Sequence, residues 1–298
     1  MQVSANGIAI ELDDQGPPGG EPLLLIMGLG MQLIAWPQEW VDQLVARGFR
    51  VIRFDNRDAG LSTGFDALGV PNLLLAGLGN LMHMPVAAPY RIADMAADAI
   101  GVLDALGLAS AHVCGASMGG MIGQHLAAAY PERVRSLCLM MTTSGSRRLP
   151  QPELKVQRAL LSRPASAEPE AVVAHLERLV RLIGSPGYPP APELLRQRLR
   201  LAVERAWHPA GTARQMAAVI ADGSRTRLLG ASVAPTRVVH GQSDPLIPVA
   251  AGHDLVARIH GAVGDFVPGM GHDLPQELLP HFTAGVAENA ARWSSARA

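Results

Sequence analysis

The chain of 298 residues is long enough for one large domain or two small ones. Its apolar content of 48% suits a globular protein and excludes a disordered one. With 25 Lys and Arg against 26 Asp and Glu, the net charge of -1 gives no electrostatic basis for binding nucleic acid, and 2 cysteines can build neither a disulfide scaffold nor a Cys-based metal site.

Met1 to Gly7 lacks a positive segment followed by an apolar one, so the expectation is a cytoplasmic protein. Asn6-Gly7 before Ile8–Leu12 predicts an antiparallel edge hairpin. Leu23–Met27 is an unbroken apolar run, as in a strand buried on both faces. Trp36–Ala46 then reads as a helix stopped by Gly48, and Arg50–Phe54 as a strand. Leu73–Ala88 is apolar and loop-like. Gly77, Gly79, Asn80, His83 and Pro85 interrupt it, which makes it a poor membrane span. Helix Ile92–Leu106, strand Ala111–Cys114, helix Met118–Tyr130 and strand Val134–Met141 follow. This alternation predicts an α/β fold with a mostly parallel central sheet flanked by helices.

The alternation stops near Thr143. Helical periodicity without strands covers 152–162, 169–183, 192–204 and 211–221. Strand Thr236–His240, helix Val249–Ile259, strand Gly264–Val267 and a closing helix over 274–293 then resume the pattern. The expected organisation is an α/β core over 1–145 and 229–298 with a helical cap inserted at 146–228.

Gly115-Ala116-Ser117-Met118-Gly119 lies between a predicted strand and a predicted helix. That context makes it a nucleophile elbow, with Ser117 exposed on a tight turn near a helix N-terminus. A serine hydroxyl needs a base, and the base needs an orienting acid. Around such an elbow the chain order is Ser, then Asp or Glu, then His. His272, in the glycine-rich run Pro268–His272 after the last strand, is the expected base. His253, His260 and His281 fall within predicted helices, and His240 precedes the acid. Asp244, in the loop after Thr236–His240, is the expected acid ahead of Asp254, Asp265 and Asp273. The Met118 amide and the Leu29 amide in Met27-Gly28-Leu29-Gly30 are the expected oxyanion donors.

These motifs, with Phe54–Ser62, resemble the α/β-hydrolase superfamily, and within it ester hydrolases of the kind that includes the aclacinomycin methylesterases. The resemblance implies the same triad and donors, a helical cap, and a structural role for Asp55–Ser62. One departure is Met27 where many members have His before the glycine. A Ser at the elbow argues against the superfamily's epoxide hydrolases and haloalkane dehalogenases.

The expected activity is hydrolysis of small to medium, fairly hydrophobic carboxylic esters through an acyl-enzyme on Ser117. C–C bond hydrolysis, lactone opening or perhydrolysis on the same triad is the alternative, and a non-catalytic binding protein a remoter one. Gly28, Met84, Met141 and Trp207 are candidate substrate contacts, in a pocket between elbow and cap. No cofactor is expected: Leu33 replaces the last glycine of a dinucleotide fingerprint, and no cluster has zinc spacing. The expected partner is a small-molecule ester, with neither nucleic acid nor membrane.

Overall fold

A computed structural model describes residues 1–295. Asn6 and Gly7, at φ 49° and 78°, turn β1 (Gln2–Ala5) into antiparallel β2 (Ile8–Gln15). β3 (Glu21–Ile26), α1 (Gln38–Ala46) and β4 (Phe49–Phe54) follow. Then come α2 (Leu73–Leu81), α3 (Ile92–Ala105), β5 (Ala111–Ala116), α4 (Met118–Ala129) and β6 (Val134–Met140).

The sheet has 8 strands in the order β1-β2-β4-β3-β5-β6-β7-β8, with β7 at Thr236–Gly241 and β8 at Val263–Val267. Every pairing from β4 to β8 is parallel. The chain leaves β3 for β4 on one side and returns to β5 on the other. The order therefore reverses between β3 and β5, which makes their carboxyl ends the topological switch point of the sheet. The two loops that the sequence singled out, Met27–Gly30 and Gly115–Gly119, start from those two strands.

β3 shows why the sheet is buried on both sides. Leu24 and Ile26 pack with Met95 of α3 and Ile122 of α4 in one cluster. Leu23 and Leu25 pack with Trp40 of α1 and with Phe282 of α11 (Leu279–Ser295) in the other. Successive side chains point to opposite faces, so an unbroken apolar run serves both layers. Each fully buried Leu or Ile contributes about 1.5–3 kcal/mol. Cys114 and Cys138 are opposed in register on β5 and β6, and both are free and buried.

Between β6 and β7 lie α5 (Leu154–Leu160), α6 (Pro169–Ile183), α7 (Pro192–Arg205), α8 (Pro209–Asp222) and α9 (Thr226–Leu229). They are of two kinds. α6 and α7 share a small cluster of their own, built on Val173, Leu195 and Leu199. Ala218 of α8 and Leu229 of α9 belong instead to the main core.

Three elements differ from the sequence expectation. Leu73–Leu81 is a helix, capped by Asn72, whose side chain accepts from the Leu74 and Leu75 amides at 3.1 Å. Its two glycines and its unbroken apolar start mask the period, while the cap supplies the start signal. The closing helix begins at Leu279, after a single 3-10 turn at Gln276–Leu278. Pro280 explains this, since proline fits the first turn of a helix and breaks an interior. α10 (Ala250–Arg258) stops short of His260, which lies beyond it and is exposed. Among the described residues, no helix is long and apolar enough to cross a membrane.

Candidate active site

The elbow is built from its glycines. A side chain at Gly115 would strike the Gly119 carbonyl, and one at Gly119 would strike the Ile26 carbonyl at the end of β3. The second collision is with the neighbouring strand, not with residue 115. Ser117 sits between them at φ 55° and ψ -118°, a backbone that side-chain-bearing residues rarely adopt. Its N–H donates to the Met140 carbonyl at 2.9 Å, which ties the elbow to β6.

Ser117, Asp244 and His272 come together from three strand ends. His272 Nε2 lies 3.1 Å from Ser117 Oγ, and Nδ1 lies 2.7 Å from Asp244 Oδ2. The Asp244 side chain is fully buried, and that of His272 is 7% exposed. Asp244 Oδ1 accepts from the Leu246 and Ile247 amides at 2.9 and 2.8 Å, which leaves Oδ2 aimed at the imidazole. An acceptor-only carboxylate at Nδ1 assigns the proton there, so Nε2 is the acceptor for the serine hydroxyl.

The rival groups are engaged elsewhere. His240 Nε2 donates to the Ile247 carbonyl at 2.8 Å and lies 3.6 Å from Asp244 Oδ2. Burial pushes its pKa down, and its Nδ1 has no hydrogen-bond partner among the described residues. His253 stacks on Phe266, and His281 pairs with Asp265. Asp254 accepts from Ser144 and Arg258. Asp273 accepts from the Ser185 hydroxyl and, at 3.2 Å, from the Ser185 amide. Burial raises the Asp273 carboxyl above the usual carboxylate range, and those two donors only partly offset it.

Among the described residues, neither the Leu29 N–H nor the Met118 N–H has a protein acceptor. Their neighbours are used: Gly30 N–H donates to Gln215 Oε1 at 2.7 Å, and Met31 N–H to the Gly28 carbonyl at 3.2 Å. Gly28 stands against the serine, since a Cβ there would lie 3.1 Å from Ser117 Cβ. Met27 does not project into open space. It is buried with Trp36 and Met270 in a core cluster, which accommodates the departure from His.

The other candidate contacts are placed differently. Met141 is buried at the end of β6 with φ 42°, in the same cluster as Met27. Met84 is 56% exposed beyond α2, and Trp207 is half-buried between α7 and α8. Among the described residues no hydrogen bond joins either to the triad. Leu74, Leu75 and Leu81 face solvent and do not line an enclosed pocket. A depression of about 380 Å³ lies behind the acid loop, lined by Arg181, Ser185, Pro186, Ser243 and Pro245.

The sequence reading missed the groups that hold the loops. Gly271 N–H donates to Ser185 Oγ at 2.8 Å, and His272 N–H to the Ile183 carbonyl at 2.7 Å. The end of α6 thus grips the His272 loop. Asp55 accepts from the Leu33 and Leu61 amides and pairs with Arg205 of α7 at 2.8 Å. Asp58 takes Arg214 of α8 bidentately, together with the Tyr90 hydroxyl at 2.7 Å. Burial alone would raise the Asp58 carboxyl; Arg214, the Phe65 amide and Tyr90 outweigh it and hold it below its ordinary value. No periodicity marks these partners, which lie on different elements.

An eight-stranded, mostly parallel sheet with a serine elbow at its switch point defines a hydrolase of the α/β class. The family model described as alpha/beta hydrolase fold matches residues 21–274, and the chain belongs to that family. Rhodomycin D methylesterase DnrP of Streptomyces peucetius is 31% identical over 306 residues, covering 95% of each chain. A 2-hydroxy-6-oxononadienedioate/2-hydroxy-6-oxononatrienedioate hydrolase of Paraburkholderia xenovorans is 27% identical, covering 94% of this chain and 90% of its own. Among solved structures, the enol-lactonase from Burkholderia xenovorans LB400 superposes with a TM-score of 0.72 at 24% identity, covering 98% of this chain and 100% of the other. Esterase RhEst1 from Rhodococcus sp. ECU1013 gives 0.71 at 20% identity, covering 97% of each.

Proposed function

We propose that the protein hydrolyses carboxylic esters with Ser117 as nucleophile, His272 as general base and acid, and Asp244 as the group that orients the imidazole. The observation that carries this reading is the unbroken relay from Asp244 Oδ2 through His272 to Ser117 Oγ, at 2.7 and 3.1 Å. Ser117 Oγ attacks the acyl carbonyl as His272 Nε2 takes its proton. The C–O bond to the alcohol breaks, and the same proton passes to the leaving alkoxide. Water, deprotonated by His272, then attacks the acyl carbon; the bond to Ser117 Oγ breaks, His272 returns the proton to that oxygen, and the acid leaves. The Leu29 and Met118 amides hold the oxyanion at each stage, and losing one such donor costs about 3–4 kcal/mol.

The substrates we infer are small to medium hydrophobic esters with a small alcohol group, methyl esters first. The full-length likeness to a protein named as a methylesterase supports this. The helices of 146–228 act as the cap, with α6 and α7 its outer part.

Replacing Ser117 by Ala is expected to lower turnover of a p-nitrophenyl ester by on the order of 10,000-fold or more with Tm unchanged. Methyl esters are expected to be cleaved faster than butyl or longer alkyl esters of the same acid. Retained turnover in the variant, or cleavage of a vinylogous diketone but of no ester, overturns the reading.

A further inference from the structure

The oxyanion loop is a tight turn. Gly28 C=O accepts from Met31 N–H, and φ is +67° at Gly30 but not positive at Leu29. Positive φ at the third position alone is the pattern of a type II turn. Types I and II interconvert by flipping the central peptide, here the unit that joins Leu29 C=O to Gly30 N–H. A flip would exchange that amide for the carbonyl and release the turn at Gly30, so that the preceding Gly28–Leu29 peptide, which carries the Leu29 N–H, would lose its anchor to α8.

Gln215 of α8 meets this peptide. Its Oε1 accepts from Gly30 N–H at 2.7 Å, and its Nε2 donates to the Arg57 carbonyl at 2.7 Å. The side chain is fully buried. The Arg57 carbonyl can only accept, so Nε2 must face it and Oε1 must face Gly30. A flipped peptide would set the Leu29 carbonyl against Oε1, acceptor against acceptor, and the amide of Gln215 cannot turn to relieve it. The helix beneath is itself fixed. Arg214 chelates Asp58, Gly211 packs on the Asp58 carbonyl, and Thr212 fills the space a Cβ on Gly30 would need.

We propose that Gln215 is a positioning residue for the oxyanion hole: it ties the Gly28–Met31 turn to α8 through the Gly30 amide, and the anchored turn holds the Leu29 amide, on the preceding peptide, where the charge develops. This deepens the ester-hydrolase reading and rests on it. The cap segment thereby contributes to transition-state stabilisation through a residue that need not touch the substrate.

The test compares wild type, Gln215→Met and Gln215→Glu on one p-nitrophenyl ester, with rates normalised to sites titrated by an organophosphonate. Gln215→Met keeps the shape and loses both bonds. It is expected to lower kcat about 10- to 100-fold with KM within about twofold, less than the loss of a donor outright. Inhibition by an aryl boronic acid, which forms a tetrahedral adduct on the serine, should weaken by a similar factor. Gln215→Glu, when protonated, reproduces both bonds, accepting from Gly30 and donating to Arg57. Its kcat relative to wild type should be near unity at acid pH and fall as pH rises and the carboxyl ionises. A Gln215→Met enzyme with kcat within about twofold of wild type, or with a loss confined to Tm, overturns the proposal. If that variant does not fold, a Gln215→Glu ratio flat with pH overturns it. An inactive wild type would refute the ester-hydrolase reading itself; an active wild type matched by Gln215→Met would refute only the role of Gln215.

Discussion

The elbow and the two loops beside it are held in opposite ways. What shapes Gly115–Gly119 lies within those five residues and beside the strand ends next to them, at Ile26, Met140 and Thr142. The loop carrying Leu29 is held by Gln215, 185 residues on, and the loop carrying His272 by Ser185, 86 residues from Gly271. A short steric motif shapes the turn at Ser117, whereas the loops beside it are aligned by helices inserted between β6 and β7. The insertion is therefore part of the frame of the site. Its α8 end is fused to the core, and its α6–α7 end rests on an apolar cluster of three buried residues.

The comparison can be broken first at the elbow. Gly119→Ala drives a Cβ into the Ile26 carbonyl, backbone against backbone, so no rotamer change relieves it. Loss of soluble folded protein is expected, read by circular dichroism and expression yield. A folded, active Gly119→Ala enzyme would show that the elbow is looser than its geometry.

The next largest effect is at α8. Arg214→Met leaves the Asp58 carboxylate buried with its charge uncompensated. A destabilisation of about 3–5 kcal/mol is expected in urea unfolding. Asp58 has a depressed folded pKa, so its contribution to stability is present above the unfolded carboxylate range and lost as pH falls through the folded value. The gap between wild type and Arg214→Met should therefore narrow in acid.

At the other end of the insertion, Ser185→Ala removes the acceptor for Gly271 N–H and one donor to Asp273. A loss of about 1–3 kcal/mol is expected, with a lower kcat and little change in KM. The Asp273 carboxyl, already raised by burial, should rise further. A group with a raised folded pKa loses its stabilisation as pH rises, so the Tm deficit of this variant should widen toward alkaline pH. A deficit that does not change with pH would remove Asp273 from the account.

The smallest effect lies far from the site. His112 is buried between Phe49 and Trp293, and burial lowers its pKa to about 4. Between the unfolded value near 6.5 and that folded value, the unfolded chain binds the proton and the native chain does not. Stability should fall by roughly 1–3 kcal/mol as pH drops through that window. His112→Asn should flatten this part of the unfolding profile.

Much of this was legible in the residues. Asn6-Gly7 places the hairpin, Leu23–Met27 the central strand, and Gly115–Gly119 the tight turn at Ser117, because turn sterics and side-chain period act over a few residues. The order of Ser117, Asp244 and His272 along the chain follows from where strands end, since loops at the carboxyl edge of a parallel sheet share one rim. α2 escaped notice because its glycines and exposed leucines blur the helical period, although Asn72 announces its start.

What the sequence determined by itself was therefore the class of fold and the three side chains, Ser117, Asp244 and His272, that meet at one rim, all written in short-range patterns. Only the tertiary structure decided which groups hold the loops around them still: Gln215 on Gly30, Ser185 on Gly271, and Arg214 on Asp58. It also decided that Met84 faces outward and Met27 inward. The reason is physical. A hydrogen bond between two loops depends on the relative placement of whole elements, and no local propensity records it.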